Sequence, residues 1–200
     1  MERIELTYDK VVRKKIETET INYGIISGNE KIVFIKVGAD GNIKGYKNKY
    51  LKMAHRVHEK TGATVICASN PYTETEQISS DKDLILEIIS ELERSYYKLY
   101  FFGTSDGAYH NLLLAKEFLE TEKIVAVNSS FIDFFDFKDK LLGLSHINKT
   151  LIFGTEDDLY DYVPSLKEFK CDNLEVITVD GADHNFSGML EEFVGLIDLL

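Results

Sequence analysis

Short apolar segments alternate with helical patterns along most of this chain, and this alternation limits the possible folds more than any other feature. Buried parallel strands are short and apolar on both faces, because helices cover both sides of their sheet. Six runs fit that description: Ile32–Ile35, Thr64–Ala68, Leu99–Phe102, Ile124–Val127, Thr150–Phe153 and Leu174–Val179. Helical spacing appears between and after them, at Tyr46–Lys60, Ser80–Arg94, Asp106–Leu119, Tyr160–Phe169 and Phe186–Leu200. The pattern predicts an α/β fold with a mostly parallel central sheet and helices on both faces.

Two other parts of the chain do not follow this alternation. The first 30 residues are polar and rich in β-formers, which predicts one or two edge strands before a turn at Ser27–Asn29. The stretch after Val127 is irregular up to about Lys149. Because no linker or repeat interrupts the sequence, residues 1–200 are expected to form one domain.

The charge of the chain narrows the range of partners. Its 23 basic and 34 acidic residues give a net charge of −11, which disfavours nucleic acid and anionic membrane surfaces. Cys67 and Cys171 are too few for a disulfide framework and lack a metal-binding spacing. Without a signal peptide or an apolar run long enough to cross a bilayer, a soluble cytoplasmic protein with a small-molecule partner is expected.

The strongest motif lies between a predicted strand and a predicted helix. Gly103-Thr104-Ser105-Asp106-Gly107 is a G-x-S-x-G sequence that follows Phe102 directly. A serine on such a turn has a strained backbone, and its neighbours two positions away must be small. Sites in parallel sheets form at the carboxyl ends of strands, so Ser105 is the candidate nucleophile.

A serine nucleophile needs a base, and five histidines are available. Only His184 lies in a loop that directly follows a predicted strand, the last one. His55 and His58 share a helix face but lack a third metal ligand, so a solvated surface explains them better. His110 is inside the helix after Ser105, and His146 in the irregular stretch is a weaker alternative.

An acidic turn follows the strand Thr150–Phe153. It contains Glu156, Asp157 and Asp158 close behind Gly154. One of these acids could orient the imidazole, and Asp158 is predicted to cap the next helix.

These segments occur in the order Ser105, Asp157, His184, and together they resemble the α/β-hydrolase superfamily. Gly-Thr-Ser-Asp-Gly is similar to its nucleophile elbow, Phe-Gly-Thr-Glu-Asp to its acid turn and Gly-Ala-Asp-His-Asn-Phe to its histidine loop. In that family the acid comes three residues after the glycine, which implies Asp157.

The resemblance also implies an oxyanion hole. Its donors would be the backbone N–H groups of Asp106 and Ala39, the latter in the turn Val37–Gly41. Val37 stands where many relatives carry histidine, and Asp106 stands where many carry an uncharged residue.

The stretch before Lys149 is too short for a large cap domain. Phe131, Phe134 and Phe135 could line an acyl pocket there or pack as core.

The sequence therefore predicts a serine hydrolase that cleaves a small carboxylic ester or thioester through an acyl-enzyme, without metal or organic cofactor. Two alternatives stay open. The chain could be a non-catalytic binding protein that keeps the fold, or an acyltransferase or C–C bond hydrolase with the same triad.

Overall fold

A central sheet organises the protein in a computed structural model, which describes residues 6–16, 18–71, 76–93, 95–131 and 133–200. The described residues form eight strands. These are β1 Lys10–Ile16, β2 Glu19–Ile26, β3 Asn29–Lys36, β4 Ala63–Ala68, β5 Lys98–Thr104, β6 Thr121–Val127, β7 Asn148–Gly154 and β8 Leu174–Val179. Their order across the sheet is β1-β2-β4-β3-β5-β6-β7-β8.

The strand directions confirm the predicted mostly parallel sheet with N-terminal edge strands. The β1 strand pairs with β2, and β2 with β4, in antiparallel fashion, whereas β3 to β8 are parallel throughout. The carboxyl ends of these six strands consequently lie at one edge of the sheet. No large cap covers that edge in the described chain.

Helices cover both faces of the sheet, as predicted. They are α1 Lys49–Thr61, α2 Glu76–Glu91, α3 Asp106–Ala115, α4 Phe134–Gly143, α5 Val163–Lys167 and α6 Leu190–Gly195. Alternate residues of β3 show the two sides. Phe34 packs in one apolar cluster with residues of α2 to α5, while Ile35 packs in another with residues of α1 and α6. None of the helices in the described ranges is long and apolar enough to span a membrane.

The helix predictions were wrong in three places. The stretch expected to be irregular contains α4, whose start is capped by Asp133 through a 2.8 Å bond to the Asp136 N–H. The helix predicted at Tyr160–Phe169 is a 3₁₀ turn, Asp158–Tyr162, followed by the short α5. The last helix begins only at Leu190, because left-handed backbone at Phe186 and Gly188 interrupts the helical pattern.

A buried ion pair lies beneath the carboxyl end of β3. Lys36 Nζ is 2.8 Å from Asp81 Oδ2 on α2, and both side chains are inaccessible to solvent. The ammonium also donates to the Ser69 carbonyl, and Asp81 accepts a 2.8 Å bond from the Tyr23 hydroxyl. These bonds replace the water that both charges lose on burial.

We expect the loss of one partner of this pair to destabilise the protein strongly. Asp81→Ala leaves a buried ammonium without its carboxylate, which should lower the free energy of unfolding by about 3–5 kcal/mol in urea titrations. Asp83→Ala removes an exposed acid of the same helix and should cost less than about 0.5 kcal/mol. The double variant Lys36→Met/Asp81→Leu should recover most of the stability that Asp81→Ala loses. Equal losses in Asp81→Ala and Asp83→Ala would contradict the stabilising role of the buried ion pair.

Candidate active site

Ser105 lies on a sharp turn between β5 and α3. Its backbone has φ 52° and ψ −128°, a conformation that residues with a side chain seldom adopt. Two bonds hold it there: the Ser105 N–H donates to the Val127 carbonyl at 2.9 Å, and its carbonyl accepts from Ala108 at 3.0 Å. The turn places the serine hydroxyl at the carboxyl edge of the sheet, beside the start of a helix.

Both glycines of the motif allow backbone segments to approach closely. A Cβ atom on Gly103 would lie 2.7 Å from the Ala108 nitrogen, and one on Gly107 would lie 2.5 Å from the Lys36 carbonyl oxygen. Neither position accepts a side chain without a shift of backbone. The spacing of the motif is therefore a packing requirement of the turn.

The structure brings Ser105, His184 and Asp157 together. His184 Nε2 lies 3.0 Å from Ser105 Oγ, and His184 Nδ1 lies 2.6 Å from Asp157 Oδ2. A carboxylate only accepts hydrogen bonds, so Nδ1–H donates to it and Nε2 is left as the acceptor for the serine hydroxyl. The Asp157 side chain is 1% exposed and that of His184 is 43% exposed.

Asp157 also caps the 3₁₀ turn that follows it. Its second oxygen, Oδ1, accepts a 2.8 Å bond from the Leu159 N–H. The prediction that Asp158 would cap the next helix was wrong, because Asp157 already occupies the N-cap position. Asp158 and Glu156 are exposed.

The acid turn and the histidine loop meet without room for a side chain between them. A Cβ atom on Gly154 would lie 2.7 Å from the Ala182 carbonyl carbon, and the Glu156 N–H donates to the Ala182 carbonyl at 2.9 Å. Thr155 Oγ1 accepts a further bond from the Gly181 N–H. These contacts fix the distance between Asp157 and His184.

Asn128 connects three strand ends and was missed by the sequence analysis. Its side chain is buried after β6, where Nδ2 donates to the carbonyls of Asp183 and His184 at 3.3 and 3.1 Å. Its Oδ1 accepts from the Gly154 N–H at 3.0 Å. The available signal was an asparagine directly after a buried strand, at the edge where sites form.

The two residues suggested for an oxyanion hole are both close to Ser105, since Asp106 follows it in the chain and Ala39 lines the same cleft. Neither Ala39 nor Asp106 donates its N–H to another residue of the described chain. The turn that contains Ala39 is closed by a 3.0 Å bond from the Gly41 N–H to the Gly38 carbonyl, and Gly38 packs against Ser105. Val37, in place of histidine, is buried in the core.

The carboxylate of Asp106 turns away from the serine. It accepts a hydrogen bond from the Ser130 hydroxyl, on the segment after β6. The acidic neighbour of Ser105 thus has its own partner, while its backbone N–H stays unoccupied.

Ser105 opens into a cleft of about 430 Å³ that also holds His184 and Ala39. Aromatic side chains on its walls are those of Tyr46, Tyr50 and Phe193. The three phenylalanines predicted as a possible acyl pocket do not line this cleft. Phe131 stacks on Phe137 with ring centres 4.8 Å apart, Phe134 packs on Tyr162, and Phe135 is 76% exposed.

The other histidines have separate surroundings. His55 Nε2 lies 2.8 Å from the Thr7 carbonyl oxygen and His58 Nδ1 lies 2.8 Å from that of Ala63, so the two rings do not form a metal pair. Burial lowers the pKa of His110 on α3, with the Lys36 charge adding to the effect. Among the described residues, no three His, Cys, Asp or Glu side chains are arranged to hold a metal ion.

We expect Asn128→Asp to destabilise the junction of the acid turn and the histidine loop. A carboxylate would keep the bond from Gly154 but would face two carbonyl oxygens that it cannot bind. The free energy of unfolding should fall by about 1–3 kcal/mol in urea titrations. Asn148→Asp changes an exposed asparagine and serves as the control. If Asn128→Asp lost no more stability than this control, the role of Asn128 would be contradicted.

Comparison with known proteins gives structural matches only. The sequence matches no protein-family model and no curated protein. An α/β serine hydrolase homologue from Coxiella burnetii has a TM-score of 0.72 at 15% identity, with 98% of this chain and 100% of that chain covered. Est1E from Butyrivibrio proteoclasticus has a TM-score of 0.69 at 13% identity, with 94% and 96% covered. A serine hydrolase without a lid from Xanthomonas campestris has a TM-score of 0.63 at 15% identity, with 99% and 95% covered.

Proposed function

We propose that this chain, which has the α/β-hydrolase fold, is a serine hydrolase that cleaves a small carboxylic ester or thioester. The observation that carries the proposal is the hydrogen-bonded series Ser105, His184, Asp157 at the carboxyl edge of the sheet. His184 can accept the Ser105 hydroxyl proton, and Asp157 can stabilise the imidazolium that results, as nucleophilic catalysis requires. The structural neighbours support hydrolase chemistry through their fold.

The first half of the reaction forms an acyl-enzyme. Ser105 Oγ attacks the substrate carbonyl carbon while His184 Nε2 takes the hydroxyl proton. The resulting imidazolium is stabilised by Asp157 through the 2.6 Å bond to Nδ1. The carbonyl oxygen becomes an oxyanion, which the free N–H groups of Ala39 and Asp106 would bind.

The second half releases the acid. The first half is complete when the imidazolium gives its proton to the leaving alcohol or thiol as its bond to the acyl carbon breaks. A water molecule then attacks the acyl carbon with His184 as its base, and the imidazolium returns the proton to Ser105 Oγ as the bond between Oγ and the acyl carbon breaks. With 43% of the His184 side chain exposed, water reaches the imidazole directly, which favours hydrolysis over transfer to another acceptor. All these steps use groups of the chain itself, so the proposed reaction requires neither metal nor organic cofactor.

Ser105→Ala is the direct test of the nucleophile. Hydrolysis of short-chain nitrophenyl esters should fall at least about a thousandfold, because neither attack nor acyl-enzyme formation can occur. Covalent labelling by a fluorophosphonate should disappear as well. Ser145→Ala removes an exposed serine and should change neither measurement.

Three outcomes of these measurements have different meanings. Undiminished labelling of Ser105→Ala would rule out that residue as nucleophile. Neither labelling nor turnover in the wild type would favour a binding protein that keeps the fold. An acylated alcohol as the main product, when an alcohol acceptor is supplied, would favour an acyltransferase.

The two neighbouring acids give a second test. Asp157→Asn should lower kcat by about 10⁴-fold, because the amide group can donate to Nδ1 and so favours the wrong imidazole tautomer. The asparagine oxygen can still accept from the Leu159 N–H, so the melting temperature should change little. Asp158→Asn should leave kcat nearly unchanged. A large loss in Asp158→Asn but not in Asp157→Asn would overturn the assignment of the acid.

A further inference from the structure

The cleft at Ser105 continues into a second cavity of about 450 Å³. Tyr46, Lys49, Asn185 and Phe193 line both spaces, so a substrate with its carbonyl at Ser105 can extend across these residues. This combined space, here called the extended cleft, is larger than a short acyl chain requires.

The charge of the extended cleft differs from that of the whole protein. Among the described residues that line it, Lys47 and Lys49 carry positive charge and none is an aspartate or glutamate. The chain as a whole has 34 acidic residues and a net charge of −11. On the other side of His184, a separate depression is lined by Glu156, Asp157, Asp158 and Asp183. A substrate therefore meets positive charge on one side of the imidazole and negative charge on the other.

Lys49 lies in the wall between the two cavities. Its Nζ is 4.2 Å from the centre of the Phe193 ring and 5.1 Å from that of Tyr50. Partial burial lowers the pKa of Lys49, and the nearby Asp183 charge acts in the opposite direction. Asp183 itself accepts bonds from the N–H groups of Asn185 and Ser187 in its own loop.

No described carboxylate forms a salt bridge with Lys49. In contrast, Lys52 on the same helix lies 3.7 Å from Glu191. A half-buried ammonium without a salt bridge, at the wall of a substrate cleft, gains most from an anion that a ligand supplies.

On this basis we infer that the substrate is an ester with an aromatic or similarly flat apolar body and one carboxylate, which binds Lys49. The inference rests on the proposed function and specifies its substrate class. Tyr46 and Phe193 would contact the apolar body on the two walls of the extended cleft. A single carboxylate fits better than a phosphate dianion, because the site is partly desolvated and each added charge raises the cost of burial.

The test compares two matched pairs of small esters at pH 7.5. In one pair the anion is on the acyl side: monomethyl terephthalate against methyl 4-carbamoylbenzoate. In the other it is on the alcohol side: 3-acetoxybenzoate against 3-acetoxybenzamide. We expect kcat/KM of the wild type to favour the anion by about tenfold or more in at least one pair. The net charge of −11 alone would produce the opposite preference.

Lys49→Gln should remove most of that preference, measured as the anion-to-neutral ratio of kcat/KM. Lys52→Gln is the matched control on the same helix and should keep the ratio of the wild type. Melting temperatures of both variants verify that the fold is intact. The ratio in the wild type needs no variant, so the inference stays testable if Lys49→Gln does not fold.

The outcomes separate this inference from the proposed function. Cleavage of the neutral esters that depends on Ser105, without preference for the anion in either pair, overturns the inference alone. A preference that Lys49→Gln retains overturns the role of Lys49. If none of the four compounds is cleaved in a Ser105-dependent way while nitrophenyl esters are, the inference fails and the proposed function stands. If neither the four compounds nor the nitrophenyl esters are cleaved, both fail.

Discussion

The approach of Gly107 to the carbonyl oxygens of Lys36 and Val37 is the contact on which the candidate site depends. It lets α3 begin directly against the end of β3, so the turn that follows β3 lies beside the turn that follows β5. A side chain at position 107 would move these two turns apart. With them would move the amides of Ala39 and Asp106, which the proposed reaction needs within about 3 Å of the same oxygen.

A second junction holds the other half of the site. Here Gly154 packs on Ala182, and Asn128 bonds to both the acid turn and the histidine loop. The strand β6 ends at Val127, directly before Asn128, and the Val127 carbonyl accepts a hydrogen bond from the Ser105 N–H. A single strand end thus links the serine turn to the base and its acid. This explains how three short loops keep distances of 2.6 and 3.0 Å between their side chains.

The sequence was sufficient for the features that repeat or that lie next to each other in the chain. Strand positions came from apolar runs, and the shared edge of a parallel sheet predicted that Ser105, His184 and an acid of the turn after Gly154 would meet. The family resemblance stated in the sequence analysis implied Asp157 among the acids of that turn. Contacts between distant segments gave no such signal. The ion pair of Lys36 with Asp81, for example, joins the end of β3 to a helix after the next strand, and the sequence analysis did not predict it. Phe131 looked equally suited to a pocket or a core, and its contact with Tyr162 decides between them.

Helix boundaries failed for a related reason, since caps and left-handed residues decide them more than apolar spacing does. Asp133 begins α4 by a bond that involves one side chain, and Asp157 caps a 3₁₀ turn while it also accepts from His184. Neither of the two roles of Asp157 reveals the other. The acid was assigned by its distance from Gly154, whereas its capping role required the geometry of Oδ1.

The arrangement of charge around Ser105 matches the charge that the proposed reaction would develop. Attack on an ester creates a negative oxygen near the Ala39 amide and a positive imidazolium on His184 at the same moment. The acidic depression, with Asp157 at its buried side, adjoins the imidazolium. Lys49 and Ala39 line the cleft at Ser105, where that oxygen would lie. Fixed groups of this kind stabilise a transition state without having to reorient, and the benefit is larger where water is partly excluded. An anion bound at Lys49 would offset part of the positive charge that stabilises the oxyanion. For the same cleft to serve both recognition and catalysis, the carboxylate of the inferred substrate therefore has to bind at the far side of Lys49, toward Tyr46 and the second cavity.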